Sequence, residues 1–180
     1  MRFSENRPVA WGILALVALL SISLSGGKAM NDTRSAAEKM FFGTGGGGNI
    51  NHDLDTRATE SYKLASIASK YISDGDEALS KVKDLSQQLQ DAKTIDARYA
   101  ANKDLSSAVE DLYSKVQAAG LSEGDQDDAL RAYKDVTAKA DSIGRDPYSD
   151  EARKFNESIA KFPANIIAGF TGVRELQTFK

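Results

Sequence analysis

Two kinds of hydrophobic patterning divide the chain. Val9 to Leu24 reads VAWGILALVALLSISL, and no charged residue falls between Arg7 and Lys28. A hydrocarbon core about 30 Å thick needs a helix of about 20 apolar residues. This run therefore predicts a transmembrane helix, with Trp11 near one boundary. The competing reading is a cleaved secretory signal, with MRFSENR as its charged region and SGGKAM supplying small residues for cleavage. The uncharged span is long for a signal, and the helix-compatible KAMNDTRSAAEKMFF follows it directly, which favours an anchor that stays attached. Arg2 and Arg7 on one side nearly balance Lys28, Arg34 and Lys39 on the other, so positive charge decides orientation only weakly. The signal-like beginning points to a body outside the cytoplasm, that is, a single-pass protein of the inner membrane.

Beyond Gly43 the pattern changes period. GTGGGG, Gly43 to Gly48, lacks the Lys-Ser or Lys-Thr and the preceding strand of a phosphate cradle, and so reads as a flexible joint. Ile50, Leu54, Tyr62, Ala65, Ala68 and Ile72 then fall near one helical stripe, with Ala58 and Ser61 as small members. A turn follows at SDGD. No Gly or Pro occurs from Asp76 to Ala119, where Leu79, Val82, Leu85, Leu89, Ala92, Tyr99, Leu105, Val109, Leu112 and Val116 recur mostly every three or four residues. This predicts one helix of roughly 60 Å at 1.5 Å per residue, or two helices joined with a register shift near Thr94–Ala101. Gly120 closes it. Leu130, Tyr133, Val136, Ala140 and Ile143 mark a further helix with acids at its start, where the helix dipole favours them.

The last helix has Asp146 as cap, Pro147 in its first turn and a seam of Tyr148, Ala152, Phe155, Ile159 and Phe162. Pro163 interrupts that seam, so the helix is expected to restart there as a short segment, PANIIAGF, ending at Gly169. Its apolar residues have two readings. They either fold back as a cap on the core or, with Phe162, form a docking patch of Phe162, Ile166, Ile167 and Phe170 for a partner or for lipid headgroups.

Short connections at Asp74–Gly75, Gly120–Asp125 and Gly144–Asp146 force sequential helices to be antiparallel neighbours. The fold class expected is all-α. It is an elongated antiparallel bundle of about four helices over residues 49–180, after an anchor at 1–28 and a stem with glycine linker at 29–48.

Composition narrows the function. A formal charge of -3 and a pI near 5.3 lack the basic face of a nucleic-acid binder. The absence of cysteine removes disulfides, thiolate chemistry, Cys-based metal sites and a lipidated cysteine. His52 is the single histidine, and with Asp53 and Asp55 it reads as a capping cluster. EGDQDD, Glu123 to Asp128, lacks the central Gly and terminal Glu of a calcium loop. No Ser or Thr has a histidine to activate it in a known motif. Asn156, beside the seam, is suited to hydrogen bonding across helices that helps fix register. No catalytic residue, cofactor or metal is expected.

ARKFNESIAKFPANIIAGF resembles the C-terminal signature of the LemA family, in which an aromatic-Asn pair is followed by Phe-Pro, a small apolar run and Gly-Phe. ANKDLSSAVEDL is similar to the family's Asn-x-x-Leu-Ser-x-Ala segment. The Arg-Arg and proline-containing run usual in the first body helix is reduced here to Arg57, in DTRATESYKLASIASKY. The resemblance implies a bacterial, membrane-anchored helical protein with no agreed biochemical activity. The expected function is a non-enzymatic scaffold at the membrane surface. It would touch the lipid bilayer through residues 9–27 and an unidentified membrane or envelope protein, with self-association open. The alternative is a sensing module that binds a small ligand or cation in a gap between helices.

Overall fold

The structure, a computed structural model, describes residues 26–43 and 49–179. Among them every regular element is helical: α1 (26–42), α2 (Ile50–Ala68), α3 (Glu77–Asp91), α4 (Ile95–Lys103), α5 (Leu105–Ala118), α6 (Glu123–Arg145), α7 (Tyr148–Ala160) and α8 (Ala164–Thr171). The apolar run Val9–Leu24 lies outside the described residues, as do the glycines after Gly43. No helix among the described residues is long and apolar enough to cross a membrane. The chain divides into two compact units, Met1–Glu38 with Glu151–Leu176, and Lys39–Asp150 with Gln177–Lys180.

The second unit holds a helical bundle. α2 packs against α3 and α6, α3 against α4 and α5, and α5 against α6. Side chains fix the directions. Tyr71, just past the end of α2, donates to Asp125 in the first turn of α6 at 2.6 Å, while Lys139 late in α6 meets Asp53 early in α2 at 2.7 Å. Lys115, in the last turn of α5, bonds Asp76, the cap of α3, at 2.7 Å. Both pairs of helices are therefore antiparallel. Short polar residues start the helices by accepting otherwise orphaned backbone N–H groups. Asn49 accepts from His52, Asp76 from Ala78 and Leu79, Thr94 from Ala97, and Ser122 from Asp125.

The run 76–119 is not one long helix. It breaks at Ala92–Thr94, where Ala92 and Thr94 are extended (ψ 125° and 154°), and α3 lies alongside both α4 and α5. The reversal needs neither Gly nor Pro. Thr94 caps α4, and the Ala92 carbonyl accepts from Arg98 Nε at 3.1 Å. Two helical faces are also rotated from expectation. α6 buries Ala129, Ala132, Val136 and Ile143, leaving Tyr133 half-exposed and stacked on Tyr113 with centroids 4.1 Å apart. In α2, Leu64 is buried and Tyr62 is exposed. At one end of this unit Phe179 is buried, 5.4 Å from both Phe41 and Tyr99 between ring centroids. Its N–H donates to Ser149 Oγ at 3.0 Å.

In the first unit, α7 buries Ala152, Phe155 and Ile159. Phe162, the next seam position, is exposed because the helix ends at Ala160 and α8 restarts after Pro163, whose preceding peptide bond is cis. α8 passes through Gly169 and ends at Gly172, whose φ of 71° is the left-handed cap that glycine adopts without strain. Asn156 holds the tail by donating from Nδ2 to the Leu176 carbonyl and accepting at Oδ1 from the Leu176 N–H, both at 2.8 Å. Arg34 of α1 reaches the Arg174 carbonyl at 2.6 Å.

Candidate functional site

The most unusual chemical group in the bundle is Arg57. It lies in the middle of α2 on the face that also buries Leu54, Ala58 and Ser61, and it is 2 % exposed. Its Nη1 donates to Asn102 Oδ1 near the end of α4, and its Nη2 donates to Ser106 Oγ at the start of α5 at 2.7 Å. The Nε has no hydrogen-bond partner. The acids nearby in sequence are engaged elsewhere: Asp53 pairs with Lys139 and Asp55 with Arg98, each at 2.7 Å. Burial pushes the Arg57 guanidinium down to about 10, which leaves it charged at neutral pH. A cation held by two neutral oxygens and shut away from water ties α2 to the α4–α5 junction. It acts as a clasp.

His52 is exposed, and its backbone N–H donates to the Asn49 cap at 2.8 Å. In EGDQDD, Asp125 accepts from Lys70 and Tyr71, and the Lys70 hydrogen bond first, then that of Tyr71, holds its carboxyl below the ordinary value. Among the described residues no group of three or more His, Asp or Glu side chains is placed to hold a metal ion. A cleft lined by Val116, Gly120, Leu121 and Ala129 at the α5–α6 turn has a volume of about 100 Å³. A wide-open groove lined by Asp84, Gln88, Ala92 and Ala101 of the α3–α4 region has about 590 Å³, within the size range of small-molecule sites.

The four expected docking residues separate into two groups. Phe162 is 80 % exposed, Phe170 82 % and Ile166 49 %, whereas Ile167 is only 8 % exposed. Ile166 and Phe170 are four residues apart and so share one side of α8. Ile167 and Thr171 form the opposite contact, against the first residues of α1. A Cβ added at Gly27 would lie 2.6 Å from Thr171 Cγ2, and one at Gly26 would lie 3.0 Å from Ile167 Cδ1. At Gly27 the absence of a side chain is what lets Thr171 come so near. Farther along the tail, Leu176 and Phe179 are buried.

The sequence profile of the LemA family matches residues 47–180, most of the chain. The chain belongs to the LemA family. Comparison with curated proteins and with solved structures returned no match. Two motifs that carried the resemblance now have physical roles in this LemA chain. Asn102 and Ser106 of the ANKDLSS segment are the two acceptors for Arg57. Asn156 of the FNESIAKFP segment clamps the main chain at Leu176. The sequence pointed to Asn156 as a hydrogen-bonding residue, and its bonds go to the tail main chain at Leu176 where bonds across helices were expected; the burial of Arg57 among the apolar positions of α2 was missed. It could have been found by noting that Arg57 falls on the same helical face as Leu54, Ala58 and Ser61.

Proposed function

We propose that this LemA-family protein is a single-pass membrane protein that acts by contact, without catalysis. The run Val9–Leu24 tethers it, and the helical body stands at the membrane surface, on the extracytoplasmic side, where it engages another component of the envelope. The observation that carries this reading is the exposed set Ile166 and Phe170 on α8 with Phe162 just before it; α8 packs on Gly26 and Gly27, which follow the apolar run Val9–Leu24. Large apolar side chains left in water mark interaction surfaces. The polar groups of the body support the same view, because Arg57, Asp53, Asp55, Asp76 and Asp125 are all spent on hydrogen bonds and ion pairs within the bundle.

The test is a carbonate wash of membranes followed by protease treatment of intact spheroplasts. The protein should stay in the membrane pellet, and an epitope at its C-terminus should be digested from outside. Release by carbonate would remove the anchor from the proposal. An epitope protected until the membrane is permeabilised would reverse the orientation.

A further inference from the structure

We propose that α8 is an interfacial helix. On this view Phe162, Ile166 and Phe170 sit in the headgroup layer of the same bilayer that holds the anchor, so the surface they dock on is lipid. This rests on the anchored reading above. The geometry comes from covalent distance. Leu24 ends the apolar run and Gly26 is two residues on, so chain length alone keeps them within about 7 Å. Ile167 and Thr171 sit directly against Gly26 and Gly27. Wherever the end of the run meets the membrane boundary, α8 is held there too.

The composition of α8 suits that layer. ANIIAGFT carries no charge, and its buried side is fixed by Ile167 and Ala168. Its exposed positions are Ile166 and Phe170, and Phe162 stands just ahead of the helix before Pro163; these are residue types with which in-plane helices enter the boundary between headgroups and chains. Lys28 and Lys161, both exposed, stand next to the two halves of the contact, where ammonium groups can meet lipid phosphates. A protein partner fits less well. Two phenylalanines bury roughly 150–250 Å² each, and with one isoleucine they fall short of the ~800 Å² per side of a stable interface.

The chain has no native cysteine, so single-cysteine probes can be placed on the full-length protein reconstituted in phosphatidylethanolamine–phosphatidylglycerol vesicles. Gly169→Cys puts a fluorophore beside the stripe, where an added Cβ meets nothing within 4 Å. Ala15→Cys reports on the anchor and Asp111→Cys, exposed on α5, on the body. For a helix about 5–10 Å into the boundary, a nitroxide near the headgroup end of the acyl chain should cut the Gly169→Cys emission roughly in half, and one at the methyl end less. Asp111→Cys should be unaffected. Adding Phe162→Ser, Ile166→Ser and Phe170→Ser should abolish the quenching at position 169 while leaving that at Ala15→Cys.

Three outcomes overturn the proposal in distinguishable ways. Quenching at position 169 by aqueous iodide but not by lipid, with Ala15→Cys quenched deep in the bilayer, would leave the anchor standing and refute the interfacial helix. Shielding from both quenchers would mean that protein, such as a second copy, covers the stripe. No lipid quenching at Ala15→Cys would remove the anchored reading and this inference with it.

Discussion

Arg57 sets the terms at the scale of single residues. A buried guanidinium with two neutral acceptors is stable only while both acceptors remain, since an uncompensated buried charge costs far more than a lost neutral contact. The double variant Asn102→Ala, Ser106→Ala should therefore unfold in urea with a loss of about 3 kcal/mol. Adding Arg57→Met, which replaces the cation with an apolar chain of similar length, should restore most of that loss. Ser106 is exposed and Asn102 half-buried, so both can bond water once Arg57 is gone. If the triple variant is weaker still, the clasp contributes attraction beyond satisfying a buried charge. Asn156 gives the second residue-scale expectation. Asn156→Asp loses the Nδ2 donor and sets a carboxylate against the Leu176 carbonyl. It should cost about 1–3 kcal/mol and speed amide hydrogen exchange in the tail, read by mass spectrometry of the C-terminal peptide. How legible these residues were differs for a physical reason. Asn156 acts on a main-chain group twenty residues away in the same unit, and its place beside an apolar seam hinted at such a role. Arg57 meets partners 45 and 49 residues away, and a contact of that span exists only once the helices have reversed direction.

Helices were easier to locate than to delimit. The three-to-four-residue spacing was enough to place α2, α6 and α7, because those segments bury one continuous stripe each. Across 76–119 it left one long helix and two helices shifted near Thr94–Ala101 as alternatives; the chain turns at Ala92–Thr94, close to the second, and the separation of α4 from α5 at Asp104 was not read. Periodicity records which side is buried, and a turn that swaps neighbours without swapping sides leaves it unchanged. The signal was Thr94, a side chain able to cap the helix that follows. Close approach between helices was also hidden, because it depends on atoms that are missing. Gly26 and Gly27 look like residues of a cleavage site in the sequence, yet their bare backbones are what α8 rests on. Gly27→Ala should force Thr171 aside, and Thr171 cannot yield easily because its Oγ1 donates to the Ile167 carbonyl at 2.8 Å. Overpacking of this kind typically costs about 1–3 kcal/mol. Thr171→Ser removes the methyl that clashes and keeps the hydroxyl, so the pair Gly27→Ala, Thr171→Ser should recover the thermal midpoint. No recovery would show that α8 and α1 do not meet at this point.

At the scale of the molecule, the bundle is tied at its helix ends by charge, and charge makes it sensitive to pH. Lys70 bonds Asp125 and Lys115 bonds Asp76, joining the end of α2 to the start of α6 and the end of α5 to the start of α3. Each ammonium hydrogen bond holds its carboxyl below the ordinary value, and the bond that Lys70 donates to Asp125 holds Lys70 above its own. A carboxyl with a lowered value in the folded chain contributes stability that is complete above its unfolded value, about 3.9 for Asp, and that disappears as pH falls through the folded one. Lys70 behaves in the opposite sense: its contribution is complete below the unfolded value of 10.5 and disappears as pH rises through the folded one. Thermal midpoints should thus be level through neutral pH, fall on acidification below the ordinary carboxylate value, and fall again at the alkaline end. The pairs lie at the surface, so the acid loss should be modest and should shrink in high salt. Asp76→Asn with Asp125→Asn keeps an amide oxygen able to accept at the α3 cap and from Tyr71 at position 125, but removes the charge. It should lower the neutral-pH midpoint slightly and flatten the acid limb. An acid limb as steep in the double variant as in the parent would show that other carboxylates govern the response, with Asp53 on Lys139 and Asp55 on Arg98 the next to substitute.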